Sequence, residues 1–179
     1  MTSKKLAELK NTLAKGQLVR IDRKSAKDDP IEGFVIGVGA EMILINSLID
    51  FHLDGYVAIL HSDVKRWKVL DGDESIAQRV LKIKGINPVP QPEIVLDSVE
   101  ELLLSADREF PLISIYREAK KPDTMQVGRI DKLTEKTVSL VLLDPDATWS
   151  KPTRFNLADI TRVDFDTEYN DGLWMVAGR

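Results

Sequence analysis

Three groups of residues in this chain combine types and spacing that could do chemistry. Asp50, His52 and Asp54 alternate along one short stretch. In an extended segment alternate side chains share a side, so two carboxylates and an imidazole would face a divalent cation together. The simpler alternative is a polar loop face flanking Phe51 and Leu53, and the corresponding later stretch, Asp144 to Trp149, holds no histidine. No metal site is expected. His61, Ser62 and Asp63 are the residue types of a hydrolase triad. Consecutive residues on a turn diverge and cannot relay a proton, so they are expected to form a structural turn. The third group is basic: eight lysines and arginines against four acids in residues 1–30.

That basic edge would hold a polyanion through Lys4, Lys5, Arg20 and Arg23. A nucleic-acid surface also needs aromatic groups to stack on bases, and residues 1–33 contain none. An ordinary solvated helix face and loop is the alternative. The large aromatic groups lie elsewhere. Trp67 is expected in a core or inter-barrel contact, whereas Trp149 sits on the longest loop of the second half. Trp174 belongs to an apolar run, Gly172 to Val176, that folds back over the opposite half, seals the junction, or offers an edge strand to a partner. Trp149 and Trp174 therefore join the four basic residues as candidate binding residues. There is no Gly-rich phosphate loop, serine elbow or zinc-protease helix, and no pair of carboxylates placed for acid–base work. Neither catalysis nor a cofactor is expected.

The elements that must carry these residues follow from periodicity. Leu6, Leu9 and Leu13 predict a helix over 3–15 that stops at Gly16. From Gln17 the period becomes two, predicting strands at 18–21, 31–38, 42–45, 56–60 and 64–70, with 50–55 as a loop. Asp73–Lys84 predicts a helix with Ile76, Val80 and Ile83 on one face, followed by a proline-stiffened connector from Gly85 to Pro92. Asp97 or Ser98 caps a helix through about Ala106. Strands are then predicted at 110–117, 125–133, 137–143, 152–157 and 160–165.

This order occurs twice because the chain aligns with itself. Leu18–Ile21 matches Leu112–Ile115, Gly33–Val38 matches Gly128–Leu133, and Asp63–Trp67 matches Asp159–Val163. The offset moves from 94 to 95 to 96 residues, as a duplication with two loop insertions would leave. Two units of about 80 residues, each with a marginal core, would gain by burying a shared interface.

A helix followed by five short bent strands, with a glycine opening the second strand (Gly33, Gly128) and a tight turn before the fifth (Ser62–Val64, Ala158–Ile160), resembles the Sm-like variety of SH3-like barrel. The resemblance covers about residues 3–70 and 98–165. It implies a mainly β, α+β architecture of two five-stranded barrels, each preceded by a helix. The expected divisions are 1–72, a connector at 73–96, and 97–179. The positions that read nucleotides in RNA-binding Sm proteins are not matched here. Such barrels also associate edge to edge, and a tandem pair would make one such contact internally.

Composition sets the remaining expectations. The net charge is −4. Residues 1–90 carry 14 basic against 12 acidic residues and residues 91–179 carry 11 against 17, which disfavours a broad nucleic-acid face. There is no cysteine, no secretory leader and no apolar stretch long enough to cross a bilayer. The expected protein is a cytoplasmic, non-catalytic interaction module for a protein or peptide. RNA is the alternative ligand, no membrane partner is expected, and homo-oligomerisation through strand edges stays open.

Overall fold

The change of period at Gln17 appears in the computed structural model, which describes residues 2–70 and 75–178. Thr2 caps α1 (Ser3–Ala14), its hydroxyl accepting from the Lys5 amide at 3.4 Å, and Leu9 is buried beneath the helix. Five strands follow: β1 (Leu18–Arg23), β2 (Ile31–Val38), β3 (Met42–Ile49), β4 (His52–Leu60) and β5 (Val64–Val69). α2 (Ile76–Lys84) and an extended connector lead to α3 (Val99–Glu109). The second set is β6 (Ile113–Tyr116), β7 (Met125–Leu133), β8 (Thr137–Leu143), β9 (Trp149–Asn156) and β10 (Arg162–Phe165), closed by α4 (Glu168–Ala177). Among the described residues no helix is long and apolar enough to cross a membrane.

All ten strands form one open antiparallel sheet in the order β5-β1-β2-β3-β4-β10-β6-β7-β8-β9. The two sets of five are joined where β4 pairs with β10, Ala58 opposite Val163 and Tyr56 opposite Phe165. The pairing registers carry the sequence repeat to single-residue accuracy. Ile21 faces Trp67 in the first set and Ile115 faces Val163 in the second, which reproduces the offsets of 94 and 96. Val19 faces Gly33 and Ile113 faces Gly128 in the same way. The bulges repeat as well, at Val35/Gly37 and Ile130/Lys132, and at Asn46/Leu48 and Val141/Leu143. α1 lies on β2, and α3 on the corresponding β7.

Gly33 and Gly128 show why the second strand of each set carries a glycine near its start. A Cβ on Gly33 would lie 2.3 Å from the Asn46 carbonyl oxygen, and one on Gly128 would lie 2.3 Å from that of Val141. Strongly coiled neighbouring strands approach closest there, and no side chain fits between them.

β4 alternates between two cores. Val57 and Ile59 join Leu9, Val19, Ile21 and Ile43 beneath α1. Ala58 points the other way, into a larger core built from α3, β6, β10 and the connector residues Ile94 and Leu96. Tyr56, Phe110 and Phe165 meet there with ring centroids 4.9 to 5.9 Å apart. The inner strands bury Val57, Ala58 and Ile59 on β4 and Val163, Asp164 and Phe165 on β10. Their repeat counterparts β9 and β5 are the free edges, and they carry Lys151, Pro152 and Arg154 on one and Lys65, Arg66 and Lys68 on the other. Lysine, arginine and proline are the residues that blunt an edge against further pairing.

Three expectations need correction. Residues 50–55 are not a loop: β3 and β4 run on to a two-residue connection at Asp50-Phe51, both with positive φ. The apolar run at Gly172 to Val176 is neither a strand nor a cover over the opposite half. Thr167 caps it as a helix, and Leu173, Trp174 and Ala177 pack on β7, β8 and β9 of their own set. The helix expected from Asp73 is seen from Ile76; Asp73 and Glu74 lie outside the described residues. Its stripe of Ile76 and Ile83 faces outward, 58% and 85% exposed, and Leu81 is the residue it buries.

The two kinds of glycine separate in a stability measurement. Gly33→Ala or Gly128→Ala must push strands apart and is expected to cost about 2 kcal/mol or more in urea unfolding. Gly172→Ala adds its methyl group to open space within α4 and is expected to stabilise by about 0.5–1 kcal/mol.

Candidate functional site: the polar junction between the repeats

The coil of the sheet brings the end of β1 against the end of β6, five strands away in the sheet order. Arg23, the last residue of β1, is fully buried there. Its Nε donates to Asp63 Oδ2 at 2.9 Å and its Nη1 to Glu118 Oε1 at 2.6 Å, while Nη2 also reaches Glu118. Ser25 ties the same group together, donating from Oγ to Asp63 at 2.7 Å. The Thr161 hydroxyl donates to Glu118 at 2.5 Å. One guanidinium from the first repeat is thus shared between an aspartate of its own set and a glutamate of the second. Charges leave water at a cost of several kcal/mol each, which only such complete pairing offsets.

A second ion pair lies beside the first. Arg162 on β10 holds Asp164 through two bonds of 2.7 Å, reaches Asp29 at 3.2 Å, and covers the Tyr116 ring at 4.6 Å from its centroid. Burial works against the charge on Arg162, but the adjacent Asp164 overrides this and holds the guanidinium protonated. Burial likewise pushes the Asp164 carboxyl up, opposed by the bonds from Arg162. The Tyr116 phenol is pushed well above its ordinary range, first by burial and then by Asp164, and so stays neutral.

Above these pairs a groove of about 400 Å³ opens between the β1–β2 loop and the β6–β7 loop, which occupy equivalent places in the two repeats. Lys27, Asp28, Asp29, Tyr116, Glu118 and Asp123 are among the residues that line it. Burial raises the Glu118 carboxyl, but bonds from Arg23 and Thr161 outweigh this and hold it below its ordinary value. It is an ionised acceptor rather than a proton donor. Asp28 and Asp123 are exposed, and among the described residues neither has an ion-pair partner. The groove can accept hydrogen bonds and positive charge.

The candidate residues from sequence are scattered. Lys4 and Lys5 are exposed on the first turn of α1. Arg20 is half-exposed and paired to Glu32 at 3.0 Å, in a cleft of about 430 Å³ also lined by Asp22, Arg66, Trp67 and Lys68. Arg23 is not on that surface at all, because its charge is consumed inside the junction. Trp149 and Trp174 do come together on the second repeat, 4.7 and 5.8 Å from the Arg129 guanidinium, where they anchor α4. His61 faces the Met42 carbonyl at 3.1 Å while Asp63 binds Arg23 and Ser25, so the two diverge as a turn requires. The turn at Asp50-Phe51 breaks the extended geometry needed to align Asp50, His52 and Asp54. His52 lies 3.7 Å from Glu168 instead, and Asp54 accepts from the Glu168 amide at 2.7 Å. Among the described residues no three His, Cys, Asp or Glu side chains cluster to hold a metal. Glu118, Tyr116 and Arg162 were not singled out from sequence. The one available signal was Arg162 and Asp164 on a strand whose neighbours are apolar, an ion pair set into a core.

Arg23→Met leaves Asp63 and Glu118 buried without a counter-charge and is expected to cost about 3–5 kcal/mol in chemical unfolding. A pH profile checks Glu118 separately. Its folded value lies below the ordinary 4.5, so between the two values the unfolded chain holds more protons. Stability is therefore expected to fall as pH drops through that window, and Glu118→Gln to flatten the fall.

Family models, curated proteins and solved structures were compared with this chain, and none matches.

Proposed function

We propose that this chain is a non-catalytic interaction module made of two Sm-like, SH3-like five-stranded barrels, each preceded by a helix, that takes a basic segment of a protein or peptide partner in the junction groove. The barrel reading is supported by the strand order β5-β1-β2-β3-β4 and its repetition in β10-β6-β7-β8-β9, with equivalent bulges and equivalent helix placement. The divisions 1–72, 73–96 and 97–179 follow from it. The binding reading is carried by one observation: a groove of about 400 Å³ lined by exposed carboxylates, Asp28 and Asp123, from two equivalent loops. A lysine or arginine side chain entering the groove would find carboxylate acceptors from both loops and the neutral Tyr116 phenol. Charge complementarity of this kind sets specificity and association rate more than raw affinity.

RNA binding has less behind it. Arg20, Arg66 and Lys68 gather near Trp67, but Asp22 and Glu32 pair with two of the three cations, and Arg23 is withdrawn from the surface.

The test is fluorescence anisotropy with labelled peptide pools rich in lysine and arginine, set beside single-stranded RNA. Saturable peptide binding that weakens with salt, and by about tenfold in an Asp28→Asn, Asp123→Asn double variant, is expected. Peptide binding indifferent to those two residues would move the site elsewhere. RNA binding that survives physiological salt would replace the reading.

A further inference from the structure

Apolar surface left in water is not spread evenly over this molecule. Eleven large apolar residues are exposed among those described, and seven of them fall on three neighbouring elements. They are Ile76 and Ile83 on α2, Ile49 and Phe51 at the β3–β4 tip, and Tyr169, Met175 and Val176 on α4. The contacts between these elements make them one surface. Lys84 at the end of α2 donates to the Phe51 carbonyl at 3.0 Å. His52 lies 3.7 Å from Glu168 at the start of α4, and Ile49 and Tyr169 line the same small cavity. The two helices flank the tip.

The helices are opposite in charge. α2 exposes Arg79, Lys82 and Lys84 and contains no acid. At 100° per residue, Ile76, Val80 and Ile83 form a stripe away from the buried Leu81, with Arg79 and Lys84 along its borders and Lys82 farther round the helix. α4 buries Asn170 and Leu173 and exposes Glu168, Asp171, Met175 and Val176. Between them, Phe51 holds its ring 42% exposed at a φ of 65°, a conformation a bulky residue rarely adopts and that usually falls to glycine or asparagine. The surface thus reads basic and apolar on α2, apolar beside the exposed Asp50 at the tip, then acidic and apolar on α4.

That sequence of charges is complementary to itself when turned by half a rotation. We propose that two copies of this chain pair through this surface about a two-fold axis at the hairpin tip, α2 of each copy lying on α4 of the other. A two-fold interface uses the same patch on both copies and closes after two. Stacking α2 on its own counterpart would set Arg79 and Lys84 against the same two cations, whereas α2 on α4 sets cations against carboxylates at both ends and covers both apolar stripes. The free sheet edges do not compete, since Lys65, Arg66 and Lys68 on β5 and Lys151, Pro152 and Arg154 on β9 oppose strand pairing.

Sedimentation equilibrium of the full chain tests this. The wild type is expected to form a dimer that stops at two copies. Ile83→Glu, or added salt, is expected to raise its dissociation constant by about tenfold or more. Two charge-reversed chains make the decisive arm. Arg79→Glu with Lys84→Glu should be monomeric alone, and so should Glu168→Lys with Asp171→Lys. Mixed, they should dimerise again, because each reversed helix meets its reversed partner; circular dichroism of each confirms that it is folded. A wild type that is monomeric throughout, a dimer that ignores Ile83→Glu, or folded variants that fail to pair on mixing would overturn the proposal. So would a monomeric wild type that co-sediments with phosphatidylserine vesicles, which would give the surface to a membrane.

Discussion

The pairing of β4 with β10 is the contact on which the other features depend. It turns two five-stranded sets into one sheet, and because β4 alternates, it supplies side chains to the cores on both of its faces. The first repeat keeps a core of its own beneath α1, whereas the larger core of the second takes in Met42, Leu44 and Ala58 of the first. Sharing a strand pair and the aromatic cluster around Phe165 removes more apolar surface from water than either set could alone. The same pairing fixes where the ends of β1 and β6 meet, and therefore where Arg23 finds Glu118. The junction groove follows from this register.

The two repeats diverge where their positions in the sheet differ. Strand four is apolar in its inner copy, with Val57, Ala58 and Ile59 all buried, and polar in its outer copy, with Lys151, Pro152 and Arg154. Strand five shows the same contrast between buried Val163 and Phe165 and exposed Lys65 and Arg66. What is shared is what any copy of the fold needs: the glycines at the closest strand approach, the bulges, and the helix on the second strand. A tandem chain can specialise its edges in this way, whereas an assembly of identical single repeats would have to give every edge the same residues.

Much of the fold was readable before any coordinates. β2, β7 and β8 fall where alternation put them, and the drift of the repeat offset from 94 to 96 reappears in the strand registers. The misplaced elements share a cause. In α2 the apolar spacing marked a helix but not the face it buries: Leu81 and Ala77 pack beneath the helix while Ile76 and Ile83 are exposed. The run at Gly172 to Val176 was apolar enough to suggest a strand, yet Thr167 and the acids Glu168 and Asp171 already mark a helix start. Of the loop expected at 50–55, residues 52–55 are strand, since two residues with positive φ, Asp50 and Phe51, close the hairpin without a glycine.

Sequence alone determined the succession of elements along the chain and the repeat with its offsets, because these rest on periodicity and local pattern, whereas the joining of all ten strands into one sheet came from the tertiary structure. Sequence also determined that no cysteine chemistry is available. Tertiary structure decided which charges are free to act. Arg23 reads as part of a basic edge, and it becomes an internal counter-ion through partners 40, 95 and 138 residues away. Local pattern cannot report such contacts: burial is a property of what lies across a core, and pairing in a buried site depends on distances that only the folded chain sets.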